Sequence, residues 1–206
     1  MADWRKTFEE QGAIWVHDKN PKRPHALLTS GMHSDGFVNC TKVTQNPDLL
    51  QRILSEPQGL AARLPVQVDW VIGSALGAVT FAYAVAAELK VRAGFTEKDG
   101  EAMKLSRFEV QPSEKVLVVE DTISTGGSTL KTIDGILKSG VNETQILPYI
   151  VCLVNRSGSG TLNGRELRAL LTLDIHMWQA EQCPLCKEGS AVVRPKSHWH
   201  ELTQRF

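Results

Sequence analysis

The chain has no surplus of charge of either sign: 23 Lys and Arg stand against 23 Asp and Glu, a formal net charge of zero. A protein that grips a nucleic acid along its surface needs a standing positive field, so that class is excluded, and any bound anion must be met by local groups. Cysteine is scarce, with Cys40, Cys152, Cys183 and Cys186 unevenly spaced. So few thiols cannot staple a chain of 206 residues, which excludes a disulfide scaffold and points to a reducing, cytoplasmic setting. An apolar leader is missing as well, since MADWRKTFEEQG carries charges where an export signal needs its hydrophobic stretch. There is no internal repeat and no low-complexity tract. The one long uncharged run, Trp70 to Ala87, is broken by Gly73 and Gly77 and rich in alanine. A buried strand, a tight turn and a packed helix explain it better than a membrane span does. What is present, 42% hydrophobic and 22% charged residues, is the balance of one globular domain with a sizeable core.

Along the chain, Trp4 and Phe8 are four apart and Gly12 precedes Ile14, which predicts a short amphipathic helix ending near the glycine. Pro21 to Pro24 reads as a basic turn, and Ala26 to Val43 as two short strands around a polar turn. Asn46 and Pro47 open a helix expected to run to about Leu64, with Leu49, Leu50, Ile53 and Leu54 on its apolar face. Strand and helix patterns then alternate: strand 66–73, helix 78–89, strand 91–95, strand 115–119, helix 128–138 and strand 145–154. This alternation predicts an α/β fold with a central, mostly parallel sheet flanked by helices. Residues 96–113, polar and of mixed charge, interrupt it as a mobile loop or a hairpin. SGSGTLNG after Arg156 reads as a flexible or edge segment.

The informative stretch is VLVVEDTISTGGST, residues 116–129. Four apolar β-formers predict a strand buried on both faces, with Glu120 and Asp121 where it emerges at its C-terminal end. Small hydroxylated and glycine residues lead from there into a helix, so backbone amides, a helix N-terminus and several hydroxyls can surround one phosphate. No Gly-Lys-Ser/Thr is present, which excludes a Walker A loop, and the glycine spacing excludes a dinucleotide fingerprint.

Glu120-Asp121 followed by Thr125-Gly126-Gly127-Ser128-Thr129 resembles the signature for phosphoribosyl pyrophosphate (PRPP) of the type I phosphoribosyltransferases. The resemblance implies that family's fold as one domain over 1–206, with 46–155 as core and 1–45 and 156–206 as a hood over the active site and a tail. It implies that Glu120 and Asp121 contact the ribose hydroxyls, with Asp121 catalytic, while Thr122, Ser124, Thr125, Gly126, Gly127, Ser128 and Thr129 hold the 5′-phosphate. Displacing pyrophosphate builds positive charge on the ribose, which carboxylates stabilise. Mg²⁺, carried by PRPP and touched by Glu120 or Asp121, neutralises the leaving group. Ser74-Ala75-Leu76-Gly77 resembles the family's pyrophosphate loop. Residues 96–110 resemble its catalytic loop, with Lys98 and Lys104 as catalytic cations and Arg107 on PRPP; Glu97 stands where an arginine is common. That loop implies a homodimer in which it reaches the neighbouring active site.

Two further segments are most similar to bacterial orotate phosphoribosyltransferases. LLTSGMHSDGF, residues 27–37, resembles their substrate-capping segment, which implies orotate contacts from Ser30, Gly31 and Phe37. Asn155-Arg156-Ser157 resembles an Asp-Arg-Ser strand ending whose arginine pairs with the orotate carboxylate; Ser124 matches a hydroxyl facing the same base. The implied reaction is transfer of the 5-phosphoribosyl group from PRPP to orotate, giving orotidine 5′-monophosphate and pyrophosphate in pyrimidine synthesis. A transferase for another nucleobase and a PRPP-sensing regulator are the alternatives. Cys183-Pro-Leu-Cys186 resembles a C-terminal segment of many bacterial members; with His176, His198 and His200 it could make a zinc site, although buried or free thiols are the plainer reading.

Overall fold

A computed structural model describes residues 3–64, 67–195 and 197–203. In chain order its elements are α1 (Trp4–Glu10), β1 (Ile14–Val16), β2 (His25–Leu27), β3 (His33–Ser34), β4 (Gly36–Val38), α2 (Thr41–Thr44) and α3 (Pro47–Ser55). Then follow β5 (Trp70–Ser74), α4 (Val79–Leu89), β6 (Arg92–Asp99), β7 (Ala102–Lys104), β8 (Val116–Ile123), α5 (Gly127–Lys138) and β9 (Ile146–Asn155). The chain closes with β10 (Thr161–Leu162), β11 (Arg165–Thr172), β12 (Met177–Trp178), α6 (Pro184–Lys187), β13 (Val192–Val193) and α7 (Trp199–Thr203). These fall into two compact units, one of Cys40–Leu173 with the start of the chain, the other of Lys6–Asn39 and Asp174 onward.

The first unit is built on a seven-stranded sheet in the order β10-β11-β9-β8-β5-β6-β7. Its five central strands pair in parallel, and both edges close with short antiparallel partners. Val71, Ile72, Val116 to Val119 and Ile150 to Val154 are buried, as expected of parallel strands covered on both faces. Ile133 and Ile136 of α5 pack into the same cluster as Ile72, Val118 and Ile150.

Several boundaries differ from expectation. Helix α3 starts where predicted, with the Asn46 side chain accepting from Leu49 N at 3.1 Å, but it stops at Ser55 rather than near Leu64. The cause is Pro57, which forces Glu56 out of the helical region to an extended ψ of 143°. Strand β5 starts at Trp70; Val66, where a strand was expected to begin, lies outside the described residues. Strand β6 runs on past Phe95 to Asp99, turns at Gly100 (φ +59°) and returns as β7, so residues 96–104 form a hairpin. Strand β11 was not expected: RELRALLT alternates charge and apolar residues weakly, and it pairs with β9 near the sheet edge. SGSGTLNG includes the two-residue edge strand β10.

The second unit holds the β1–β4 antiparallel pair and a four-stranded sheet in the order β12-β3-β2-β13. Trp15, Ala26 and Leu202 form its buried apolar cluster, with Leu28, Phe37, Val193 and Trp199 packed around them. Cys183 and Cys186 lie against His25 and His33, not against His176, His198 or His200. His176 bonds to Asp35 instead (Nδ1 to Oδ2, 3.1 Å), and His198 to Ser197 Oγ (2.7 Å). Among the described residues, no helix is long and apolar enough to cross a membrane.

Candidate active site

Strand β8 continues through both acids instead of ending before them, because Glu120, Thr122 and Ile123 still pair with Cys152, Val154 and Asn155 of β9. Glu120 is therefore buried, 4% exposed, inside a parallel sheet, and Asp121 beside it is half-buried. A buried carboxylate needs donors. Ser74 Oγ donates to both Glu120 oxygens at 2.7 and 2.8 Å, and Thr129 Oγ1 donates to Oε2 at 3.3 Å. Burial, reinforced by the Asp121 charge, pushes the Glu120 pKa up to about 8. Near neutral pH the acid pair thus carries closer to one negative charge than two, which limits its repulsion of a phosphate-bearing ligand.

Ser74 ends β5, and the Ala75–Gly77 turn leads into α4. The Ala75–Leu76 peptide is cis, and Leu76 and Gly77 are exposed. A Cβ on Gly77 would stand 3.1 Å from Asp121 Oδ2, so glycine lets this turn lie directly against the acid. Ser124 and Thr125 then lead to Gly126, which takes a left-handed φ of +76° as the N-cap of α5. A Cβ there would meet Leu162 Cδ1 at 2.4 Å. No side chain caps α5 among the described residues, so its opening amides face outward at the positive end of a twelve-residue helix. Thr125, Gly127 and Ser128 are exposed around it, while Thr129 points inward to Glu120. The arrangement can hold a phosphate on the α5 amides and hydroxyls with two carboxyls one strand-end away.

Other expected residues fall as follows. Thr122 turns its hydroxyl to Cys40 Sγ at 3.1 Å. Burial and the neighbouring Asp121 push the Cys40 thiol well up, so this sulfur stays a neutral packing group. Arg156 is buried just after β9, its backbone N–H donating to Ile123 O at 2.8 Å, which brings it next to Ser124. Lys98 and Lys104 are exposed on the β6–β7 hairpin, and Glu97 pairs with Arg107 (2.8 Å) and Ser106 (2.9 Å). The Arg107 guanidinium holds the Glu97 carboxyl below the usual carboxylate range. In the second unit, Ser30 and Gly31 sit exposed in the turn where Leu28 N donates to Met32 O, and Phe37 packs at 5.8 Å from the Trp199 ring. Sequence reasoning placed Ser74 on pyrophosphate and missed its bond to Glu120, for which no local spacing gives a signal across 46 residues.

No protein-family model matches the chain. The orotate phosphoribosyltransferase of Caldicellulosiruptor bescii is 44% identical over 175 residues, covering 84% of this chain and 88% of that protein. Its counterpart in Caldicellulosiruptor saccharolyticus is 43% identical with the same coverage of both chains. Among solved structures, the orotate phosphoribosyltransferase from Aeropyrum pernix matches with a TM-score of 0.61 at 21% identity, over 82% of this chain and 92% of that one. That likeness is one of fold, and it agrees with a mostly parallel sheet flanked by helices.

Proposed function

The chain belongs to the orotate phosphoribosyltransferase family, and on that premise we propose how its own residues transfer the 5-phosphoribosyl group of PRPP to orotate, releasing pyrophosphate and orotidine 5′-monophosphate. Membership favours orotate over another nucleobase as acceptor, and catalysis over PRPP sensing. The observation that carries the assignment of roles is the join of β8 to α5: two carboxyls at a strand end, then an amide-lined turn into an uncapped helix.

The 5′-phosphate is held by the amides of Gly126, Gly127, Ser128 and Thr129 and the hydroxyls of Ser124, Thr125 and Ser128. Glu120 and Asp121 bind the ribose hydroxyls. As the bond from the anomeric carbon to pyrophosphate lengthens, Asp121 faces the positive charge that grows on the sugar. Ser74 through Gly77 present the pyrophosphate turn, with Ser74 also holding Glu120 in place. The donor set here is carboxylate and hydroxyl oxygen, which suits a hard cation that keeps several ligands from substrate and water, with Asp121 the protein's oxygen donor. When bound, Mg²⁺ neutralises charge on the departing pyrophosphate. Lys98 and Lys104 from the exposed hairpin, and Arg107 from the segment after it, bring cations to the same charge, in a homodimer to the partner subunit's site. Orotate is already an anion, so orientation and charge do the work that a strong base would otherwise do. Arg156, beside Ser124, pairs with its carboxylate; Ser30, Gly31 and Phe37 are the second unit's candidates for the base. A cytoplasmic setting completes the proposal.

The test follows orotate absorbance in a mixture of protein, PRPP and Mg²⁺. Absorbance falls with orotate and holds with uracil. Arg156→Ala lowers kcat/KM for orotate by about 2–4 kcal/mol and leaves the PRPP KM in place. Equal weakening of both substrates would remove Arg156 from the base site.

A further inference from the structure

We propose that His25, His33, Cys183 and Cys186 form a tetrahedral, structural zinc site inside the second unit. One ligand atom from each residue lies within 4.8 Å of all the others. His25 Nε2 stands 3.0 Å from His33 Nδ1, 3.5 Å from Cys183 Sγ and 3.5 Å from Cys186 Sγ, and Cys186 Sγ is 3.2 Å from His33 Nδ1. A tetrahedral zinc ion at ordinary Zn–N and Zn–S lengths requires edges of about 3.3 Å between nitrogens, about 3.6 Å from nitrogen to sulfur and about 3.8 Å between sulfurs. These four separations sit a few tenths of an ångström or less inside those lengths, and the remaining two, from Cys183 Sγ to Cys186 Sγ and to His33 Nδ1, lie within 4.8 Å.

Hydrogen bonding alone accounts poorly for such a cluster. Around His25 Nε2 stand three groups that could each offer a proton, and one nitrogen lone pair accepts one of them well. A disulfide between the two cysteines would leave both imidazoles without a reason to converge. The orientation of His25 supplies a second, independent observation. Ser190 Oγ spends its single proton on Arg23 O at 2.6 Å, so towards His25 Nδ1, 2.9 Å away, it can only accept. His25 therefore carries its proton on Nδ1 and turns an unprotonated Nε2 to the cluster, the tautomer and outer partner of a metal-bound imidazole. Two borderline-soft nitrogens with two sulfurs in a tetrahedron select zinc over magnesium or calcium.

The site explains how this unit holds together. Its strands β2, β3 and β13 are two or three residues long, and beside its apolar cluster lies a buried polar one: His25, His33 and Ser190 are 0%, 7% and 5% exposed. Zinc would tie β2 and β3 to the α6 segment across 158 positions of chain, adding a second anchor to the small apolar cluster around Trp15, Ala26 and Leu202.

The full-length protein, purified without chelator, is assayed for metal by mass spectrometry. One zinc per chain is expected to survive gel filtration. After release with a mercurial and reduction, the apoprotein is titrated with ZnCl₂ and, separately, CoCl₂. Stoichiometric uptake, a raised thermal midpoint and the intense visible bands of tetrahedral, thiolate-bound Co²⁺ are expected. Cys186→Ser should lose the metal while Cys186→His keeps it, and Ser190→Ala should weaken zinc binding about 10–100-fold, as loss of an outer partner does. The proposal is overturned if the purified protein holds no metal and the reduced apoprotein takes up neither ion, or if a Cys183–Cys186 disulfide is found in the purified chain. These readouts need no turnover, so they stand apart from the assignment of the transferase site.

Discussion

The seven-stranded and four-stranded sheets solve the same problem by different means. In the first, β8 and β9 run for eight and ten residues and bury most of their side chains. In the second, no strand exceeds three residues, and a small apolar cluster around Trp15, Ala26 and Leu202 is joined by a buried group of imidazoles, thiols and a serine hydroxyl. A long apolar run declares its own burial, because each residue removed from water stabilises the strand wherever its neighbours come from. A polar centre works only when distant segments bring partners at the right angle, and no local pattern announces that.

Ile150→Ala, at the fully buried middle of β9, should produce the largest change, lowering unfolding free energy by about 2–5 kcal/mol in urea titrations. A cost below 1 kcal/mol would deny that the long sheet owes its stability to apolar packing. Asp121→Asn comes next: kcat/KM should drop on the order of 10²–10³-fold, with the thermal midpoint little changed, because Asp121 is half-buried and, in the proposed assignment, acts on the ligand. The third concerns Glu120, buried inside the apolar sheet. With its folded pKa near 8 against an ordinary 4.5, Glu120 binds more proton folded than unfolded in that interval. Stability of the ligand-free protein should therefore fall as pH rises from about 4.5 to 8, and Glu120→Gln should flatten that slope. A wild-type slope of the opposite sign would show Glu120 to be ionised and well solvated. The smallest effect belongs to the short-stranded sheet: Val192→Ala, 38% exposed, should stay within about 0.5 kcal/mol of wild type.

The same contrast sets what could be read in advance. VLVV and ILPYIVCLV gave β8 and β9, and Thr125-Gly-Gly-Ser-Thr gave the turn into α5, because burial period and turn chemistry are local. The paired acids were legible at a strand's end, but their inclusion within β8 was not, since Glu120 is held there by Ser74, Thr129 and the Asp121 amide. Strand β11 escaped because it reads as a charged edge while drawing its order from β9. The cysteine pair was visible, yet its histidines were sought nearby in the tail; His25 and His33 lie some hundred and fifty positions away, a separation that spacing rules do not span.

Helix α5 also carries a glycine notch. Two-thirds of the way along it, a Cβ on Gly135 would stand 2.3 Å from Met103 O, so this notch seats β7 and, through it, the hairpin bearing Lys98 and Lys104. The helix mouth that would receive phosphate lies two turns away, roughly 12 Å along the same rod. Cations and anion cradle therefore share one beam, and whatever tilts that beam moves both together.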